Sequence, residues 1–135
     1  RMRQAFHRLE QRGLVRRNHH NGCLVLTEVG KAYAKKLDSF ERITVKKPRN
    51  WDGKWRIIIF DIWERRRSVR NRLRALLQKI GFIKIQDSVW VYPYDCEEVL
   101  ALIRADLRLG GGVIYLIAEG IENDKSLRMK FNLIP

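Results

Sequence analysis

Apolar residues recur along this chain with two periods, and the switches between them mark its elements. Met2, Ala5, Phe6 and Leu9 fall at helical spacing, so residues 1–12 are expected to form an amphipathic helix stopped by Gly13. Leu14–Arg17 and Cys23–Leu26 have strand character, and His19-His20-Asn21-Gly22 between them ends in Asn-Gly, a strong hairpin signal. Thr27 is placed to cap a second helix whose apolar face reads as Val29, Tyr33, Leu37 and Phe40. Residues 41–54 lose all periodicity. Lys46-Lys47-Pro48-Arg49-Asn50 is basic and holds a proline, as expected of an exposed connector.

From Trp55 a second pattern begins. Arg56–Ile62 is nearly continuous in apolar residues, the mark of a central strand buried on both faces. Residues 65–80 read as a helix with Val69, Leu73, Leu76, Leu77 and Ile80 on one face and Gly81 as its stop. Phe82–Gln86 and Ser88–Tyr92 are β-rich. Asp95 and Glu98 form a capping-box-like start for a helix on Val99, Leu100, Ile103 and Leu107, which Gly110-Gly111-Gly112 would stop. Val113–Ala118 is a further strand, and Leu127–Leu133 reads as one more. The order β-α-β-β-α-β plus a terminal strand predicts an α+β fold, a ferredoxin-like split βαβ domain over residues 55–135. Its two helices would cover one sheet face and leave the other, lined by residues such as Ile58, Phe60 and Val91, for a second copy, and Met129–Ile134 could add a strand to a partner's sheet edge.

Composition sharpens this picture. Lys and Arg number 28 against 15 Asp and Glu among 135 residues, a formal charge of +13. Such a chain attracts polyanions, nucleic acid before an anionic membrane surface. The charge is uneven: basic residues outnumber acidic ones 13 to 4 over residues 1–50, but 15 to 11 over residues 51–135. The first third is therefore the stronger electrostatic candidate. No apolar run is long enough to span a bilayer, and no secretory pattern opens the chain. Cys23 and Cys96 form no CxxC pair and are expected to be free thiols of a cytoplasmic protein. The start at Arg1 is that expected of a piece of a longer protein.

Two stretches carry family resemblances. "FHRLEQRGLVRRN…GCLVLTEVGKAYAKKL" resembles the back half of a winged-helix domain: a recognition helix, a two-stranded wing, and "LT-x-x-G" opening a closing helix. Residues 1–40 are thus expected to be a partial winged-helix DNA-binding segment. "WDGKWRIIIFDIWERRRSVRNRLRALLQKIGF…SVWVYPYDCEE" resembles the central domain of the phenylacetate-operon repressor family, the PaaX-like transcriptional regulators, and departs from it at Trp63. That domain is in turn similar to the small CRISPR-associated nuclease that partners the spacer integrase. The first resemblance implies a repressor that binds DNA as a homodimer through its ferredoxin-like domain, with a small-molecule effector as a further partner. The second implies the alternative: a Mg-dependent endonuclease, or an integrase partner, in spacer acquisition.

These readings nominate particular side chains. Arg1, Arg3, Gln4, His7 and Arg8 could meet base edges in the major groove, and Arg16 and Arg17 of the wing could meet phosphates. Arg65, Arg66, Arg67 and Arg70 could grip phosphates through their planar forks, or simply form a solvated helix face. Asp61 ends the first strand of the second pattern. The nuclease resemblance implies that two copies of Asp61, facing across a dimer, hold Mg²⁺. The competing reading is that Asp61 caps the following helix or pairs with Arg65 or Arg66. His19, His20 and Cys23 lack a fourth ligand at a zinc spacing. Trp51, Trp55, Trp63 and Trp90 are expected in packing rather than base stacking.

Overall fold

A computed structural model describes residues 2–133. The order is α1 (Met2–Gln11), β1 (Val15–Arg17), β2 (Leu24–Leu26), α2 (Glu28–Ser39), β3 (Trp55–Phe60), α3 (Arg67–Ile80), β4 (Ile83–Gln86), β5 (Val89–Tyr92), α4 (Glu97–Leu107), β6 (Val113–Ala118) and α5 (Lys125–Lys130). Strands β1 and β2 form a two-stranded sheet, and the other four form an antiparallel sheet in the order β4-β5-β3-β6. The fold is α+β, and that strand order is the one a split βαβ unit produces.

The N-terminal 40 residues fold around one close approach. Gly30 sits against the chain after α1, where a Cβ would lie 1.9 Å from the Leu14 carbonyl oxygen. Only glycine fits there, which accounts for the last position of Leu-Thr-x-x-Gly. Thr27 caps α2 as expected, accepting from the Gly30 N–H at 3.0 Å and donating to the Gly13 carbonyl at 2.6 Å. The buried face of α2 differs from the expected one. Gly30, Ala34 and Leu37 are buried, whereas Val29, Tyr33 and Phe40 are exposed. The small residues Gly30 and Ala34, at i and i+4, let the helix approach its neighbours closely, a face that hydrophobic weight alone does not reveal.

Helix α4 is the centre of the core. Leu100 and Ile103 pack towards Ile58 and Leu73, while Leu102 meets Leu9, Leu37 and Ile43 from the N-terminal elements. One buried cluster therefore runs from Ala5 to Val113 without a break. The segment joining the two patterns is pinned as well: Ile43 is buried, and its N–H donates to the Lys79 carbonyl at 2.9 Å. Residues 46–50 are exposed, as their composition suggests.

Three local expectations are corrected. The Asp95–Glu98 capping box does not form. Asp95 instead accepts from the Glu97 N–H at 3.0 Å, and Glu98 is drawn away by the arginines of α1. Helix α4 ends not at the glycines but at Arg108, in the left-handed conformation at φ 52°. Leu127–Leu133 is not a strand: residues 125–130 form α5. Leu127 and Phe131 lie four apart and both pack on Trp55, whereas Met129 between them is exposed. Helical spacing thus overrides the apparent alternation. The strand-like role expected of Met129–Ile134 at a partner's sheet edge falls with it, and Ile134 lies outside the described residues.

The two sheet faces are also assigned by the structure. Ile58 and Phe60, expected on the open face, point to the helices with Trp90 and Tyr92. The opposite face carries Trp55, Ile57, Ile59, Val89, Val91 and Leu116, and α5 covers the Trp55–Ile57–Val91 end of it. The other end stays open as a cross-strand row of Val89, Ile59 and Ile114, with Ile114 54% exposed.

Arg56 interrupts the apolar run of β3, and its side chain is 6% exposed. Its guanidinium donates to Asp52 Oδ1 at 2.9 Å and Oδ2 at 2.8 Å, and to the carbonyls of Pro93 at 2.9 Å and Lys54 at 3.0 Å. Burial opposes its charge, but Asp52, with smaller contributions from Tyr115 and Asp95, more than offsets this. In return, the hydrogen bond from Arg56 holds the Asp52 carboxyl below the usual carboxylate range. A lowered carboxyl pKa stabilises the fold above the unfolded value and loses that effect as pH falls through the folded value. Asp52→Asn is therefore expected to cost about 1–3 kcal/mol at neutral pH, nearer the lower figure because Asp52 is half exposed. The gap between variant and wild type should close below about pH 4 in urea melts. A gap that persists unchanged at low pH would contradict the pairing.

Candidate nucleic-acid interface

Helix α1 lays Ala5 and Leu9 against the core and turns its outer face to solvent. Arg3, Gln4 and His7 are exposed there and have no hydrogen-bond or ion-pair partner among the described residues. Arg1, also nominated from sequence, lies outside the described residues. Arg8 differs from its neighbours: its Nε sits 3.5 Å from Glu98 Oε2, and Arg12 hydrogen-bonds to the same carboxylate. These contacts tie α1 to the start of α4. Glu98, together with Tyr33, keeps Arg12 more firmly charged than usual.

The β1–β2 hairpin stands beside that face. Its connection is a six-residue loop, closed by Asn18 N–H to the Cys23 carbonyl at 2.7 Å and Gly22 N–H to the Asn18 carbonyl at 2.8 Å. Arg16 is exposed without a partner among the described residues. Arg17 donates to the Gly22 carbonyl at 2.9 Å and lies 4.0 Å from Glu10, so it stiffens the loop while remaining largely exposed. His19, His20 and Cys23 gather no further ligand, since no group of three metal-ligating residues occurs among the described residues.

The structure separates the second set of arginines, which sequence spacing left together. Arg66 donates to the Leu107 carbonyl at 2.9 Å and to the Arg108 carbonyl at 3.4 Å, satisfying the C-terminal end of α4 and its negative dipole end. Arg70 is mostly buried and reaches Glu64 at 3.2 Å, and Arg67 pairs with the other oxygen of Glu64 at 3.2 Å. Arg65 alone of the four has no hydrogen-bond or ion-pair partner among the described residues, its guanidinium 4.7 Å above the ring of Trp63, which is 66% exposed. Trp55 and Trp90 are buried, and the Trp51 ring packs against Trp55 at a centroid distance of 4.8 Å, tilted by 59°. Arg108 was missed in the sequence because nothing in its spacing marks a helix end, yet its side chain is exposed beside α1 and the hairpin.

Asp61 follows β3 directly. Its N–H donates to the Gly112 carbonyl at 2.8 Å, and a Cβ on Gly112 would lie 2.7 Å from its carbonyl oxygen. The carboxylate is exposed. It neither caps the turn at Glu64–Arg66, whose cap residue is Trp63, nor pairs with an arginine among the described residues. The donor set of one chain does not fit a divalent cation, which takes six or more oxygens. Cys96 offers no nucleophile either, because burial pushes its thiol far up.

These placements predict a split in stability. Arg66→Ala is expected to cost about 1 kcal/mol, because it uncovers the end of α4. Asp61→Asn and Arg65→Ala should stay within about 0.5 kcal/mol of wild type. Chemical denaturation measures all three. A large loss for Asp61→Asn would reveal a partner for its carboxylate.

A family model for the PaaX protein central Cas2-like domain matches residues 48–129. A search of curated proteins finds no match. No helix among the described residues is long and apolar enough to cross a membrane. The family match takes in β3 to β6 with α3 and α4, and reaches into α5. It covers more than half of the sequence, and the chain belongs to the family of the PaaX protein central Cas2-like domain.

Proposed function

We propose that this chain serves a transcriptional regulator that binds duplex DNA as a homodimer. In this reading residues 1–40 are the back half of a winged-helix domain, residues 41–54 a linker, and residues 55–135 the ferredoxin-like, Cas2-like domain. The observation that carries the reading is the pairing of two exposed basic surfaces. The outer face of α1 presents Arg3, Gln4 and His7, and the hairpin beside it presents Arg16 and Arg17. A helix of this kind in the major groove reads base edges, and a flanking basic loop meets phosphates. Family membership supports a regulator. A cavity of about 310 Å³ between α1, α2, residues 43–46 and the start of α4 is a place for a small effector.

Binding to duplex DNA should weaken steeply with salt as neutralised phosphates release counterions. Arg3→Ala and Gln4→Ala should each reduce preference for a specific site by about 1–3 kcal/mol. Arg16→Ala and Arg17→Ala should weaken binding to all sequences alike. Competition between specific and shuffled duplexes separates the two sets. Identical behaviour of the sets, or salt-independent binding, would remove the reading.

The open row of Val89, Ile59 and Ile114 supports dimerisation, because apolar side chains there lose water on meeting a second copy. Sedimentation at micromolar concentration should give twice the chain mass, and Ile114→Lys should give a monomer. A monomeric wild type would contradict the dimer.

A second reading, metal-dependent cleavage of nucleic acid, has one observation in its favour: the unengaged carboxylate of Asp61 beside that open row. It would need a second carboxylate from a partner copy. The regulator reading expects no cleavage with Mg²⁺ or Mn²⁺. Cleavage that Asp61→Asn abolishes would favour the second.

A further inference from the structure

A concavity of about 940 Å³ runs between α1, the hairpin and the C-terminal end of α4. Arg3 and His7 line it from α1, Arg17 from the hairpin, and Arg104 and Arg108 from α4, against one acidic residue, Glu10. It shares Leu109 and Gly110 with a second hollow of about 210 Å³, bounded by Asp61, Trp63, Arg65 and Arg66. A basic path therefore leads from the outer face of α1, across the loop after α4, to the turn after β3. We infer that duplex DNA bound by α1 and the hairpin continues along this path, with Arg108 and Arg65 as two further phosphate contacts on the Cas2-like domain. This inference rests on the DNA-binding reading above.

Intramolecular bonding separates these two arginines from their neighbours. Arg66 is committed to the end of α4, and Arg70 and Arg67 to Glu64. Arg104 donates to the Val113 carbonyl at 2.9 Å in a half-buried setting that disfavours its charge. Arg108 is different: its backbone carbonyl receives Arg66, while its guanidinium is exposed and unpaired among the described residues. Its left-handed backbone, at φ 52°, ends α4 and places the residue at the lip of the groove. The guanidinium of Arg65 rests over Trp63, a contact that restrains it without using its N–H donors. Planar forks with unused donors on a rigid support suit phosphate oxygens. Neither residue sits on a helix face that could enter a groove, so the contacts are to the backbone and carry no base preference.

The test uses Arg65→Gln and Arg108→Asn, singly and together, asparagine being chosen because it tolerates the left-handed conformation. Lys84→Gln removes one charge from β4 at the far edge of the sheet and serves as control. Affinity for a specific and a shuffled duplex is measured over a salt series. Each arginine variant should lower the slope of log affinity against log salt by about 0.9 per bound protomer, and the double variant by roughly twice that, on both duplexes alike. Arg65→Lys should keep most of the slope, and Lys84→Gln should leave it as in wild type. Arginine variants that bind like wild type, or a Lys84→Gln effect of equal size, would overturn the path. If Arg3→Ala still weakens binding in that case, only the extension fails. If Arg3→Ala is also silent, the DNA-binding reading fails with it.

Discussion

Burial of α4 on both sides is the constraint on which the rest of the structure depends. One side of the helix closes the core over the four-stranded sheet through Leu100 and Ile103. The other receives α1, β2 and α2 through Leu102 and its neighbours. Glu98 at its start binds Arg8 and Arg12, Asp106 near its end lies 3.0 Å from Arg72, and Arg66 closes its C-terminus. Arg72 also reaches Asp38 of α2 at 3.0 Å, and Lys79 donates to the last carbonyls of α2. Exposed pairs of this kind contribute little each. Their effect is to fix orientation around an apolar contact that supplies most of the stability.

That packing sorts the positive charge. Of the described arginines nominated from sequence, Arg8, Arg17, Arg66, Arg67 and Arg70 are engaged with groups of the chain itself, whereas Arg3, Arg16 and Arg65 have no such partner among the described residues. A guanidinium already bound to a carbonyl or carboxylate must break those bonds to meet a phosphate, so the engaged set counts less towards a polyanion than its number suggests. Arg3 and Arg108 line the concavity between α1, the hairpin and the end of α4, and Arg65 lines the hollow that adjoins it at Leu109 and Gly110. The open apolar row of the sheet lies on the face away from α3 and α4.

Much of the fold is legible in the sequence because local rules decide it. The apolar run at β3, the 3.6-residue stripe of α3, Gly81 as its stop at φ 119° and Thr27 as a cap all follow from short-range geometry. The candidate site is less legible. Arginines at 65, 66, 67 and 70 look equivalent by type and spacing, yet their roles diverge because Glu64, the Leu107 carbonyl and Trp63 are brought to different members of the run.

The sequence by itself determined the α+β class, the order of elements as far as β6, the concentration of positive charge in the first third and the identity of Asp61 as the residue that follows β3. Each depends on composition or on periods of two and 3.6 residues, which are written locally. Only the tertiary structure decided which face of each strand and helix is covered. It turned Ile58 and Phe60 inward, exposed Val29, Tyr33 and Phe40, and made Leu127–Leu133 a helix-led cover instead of a strand. The physical reason is that β3 is apolar on both sides and α2 has small residues on its buried side. For such elements the sequence pattern is ambiguous, and the choice falls to whichever neighbours pack most closely.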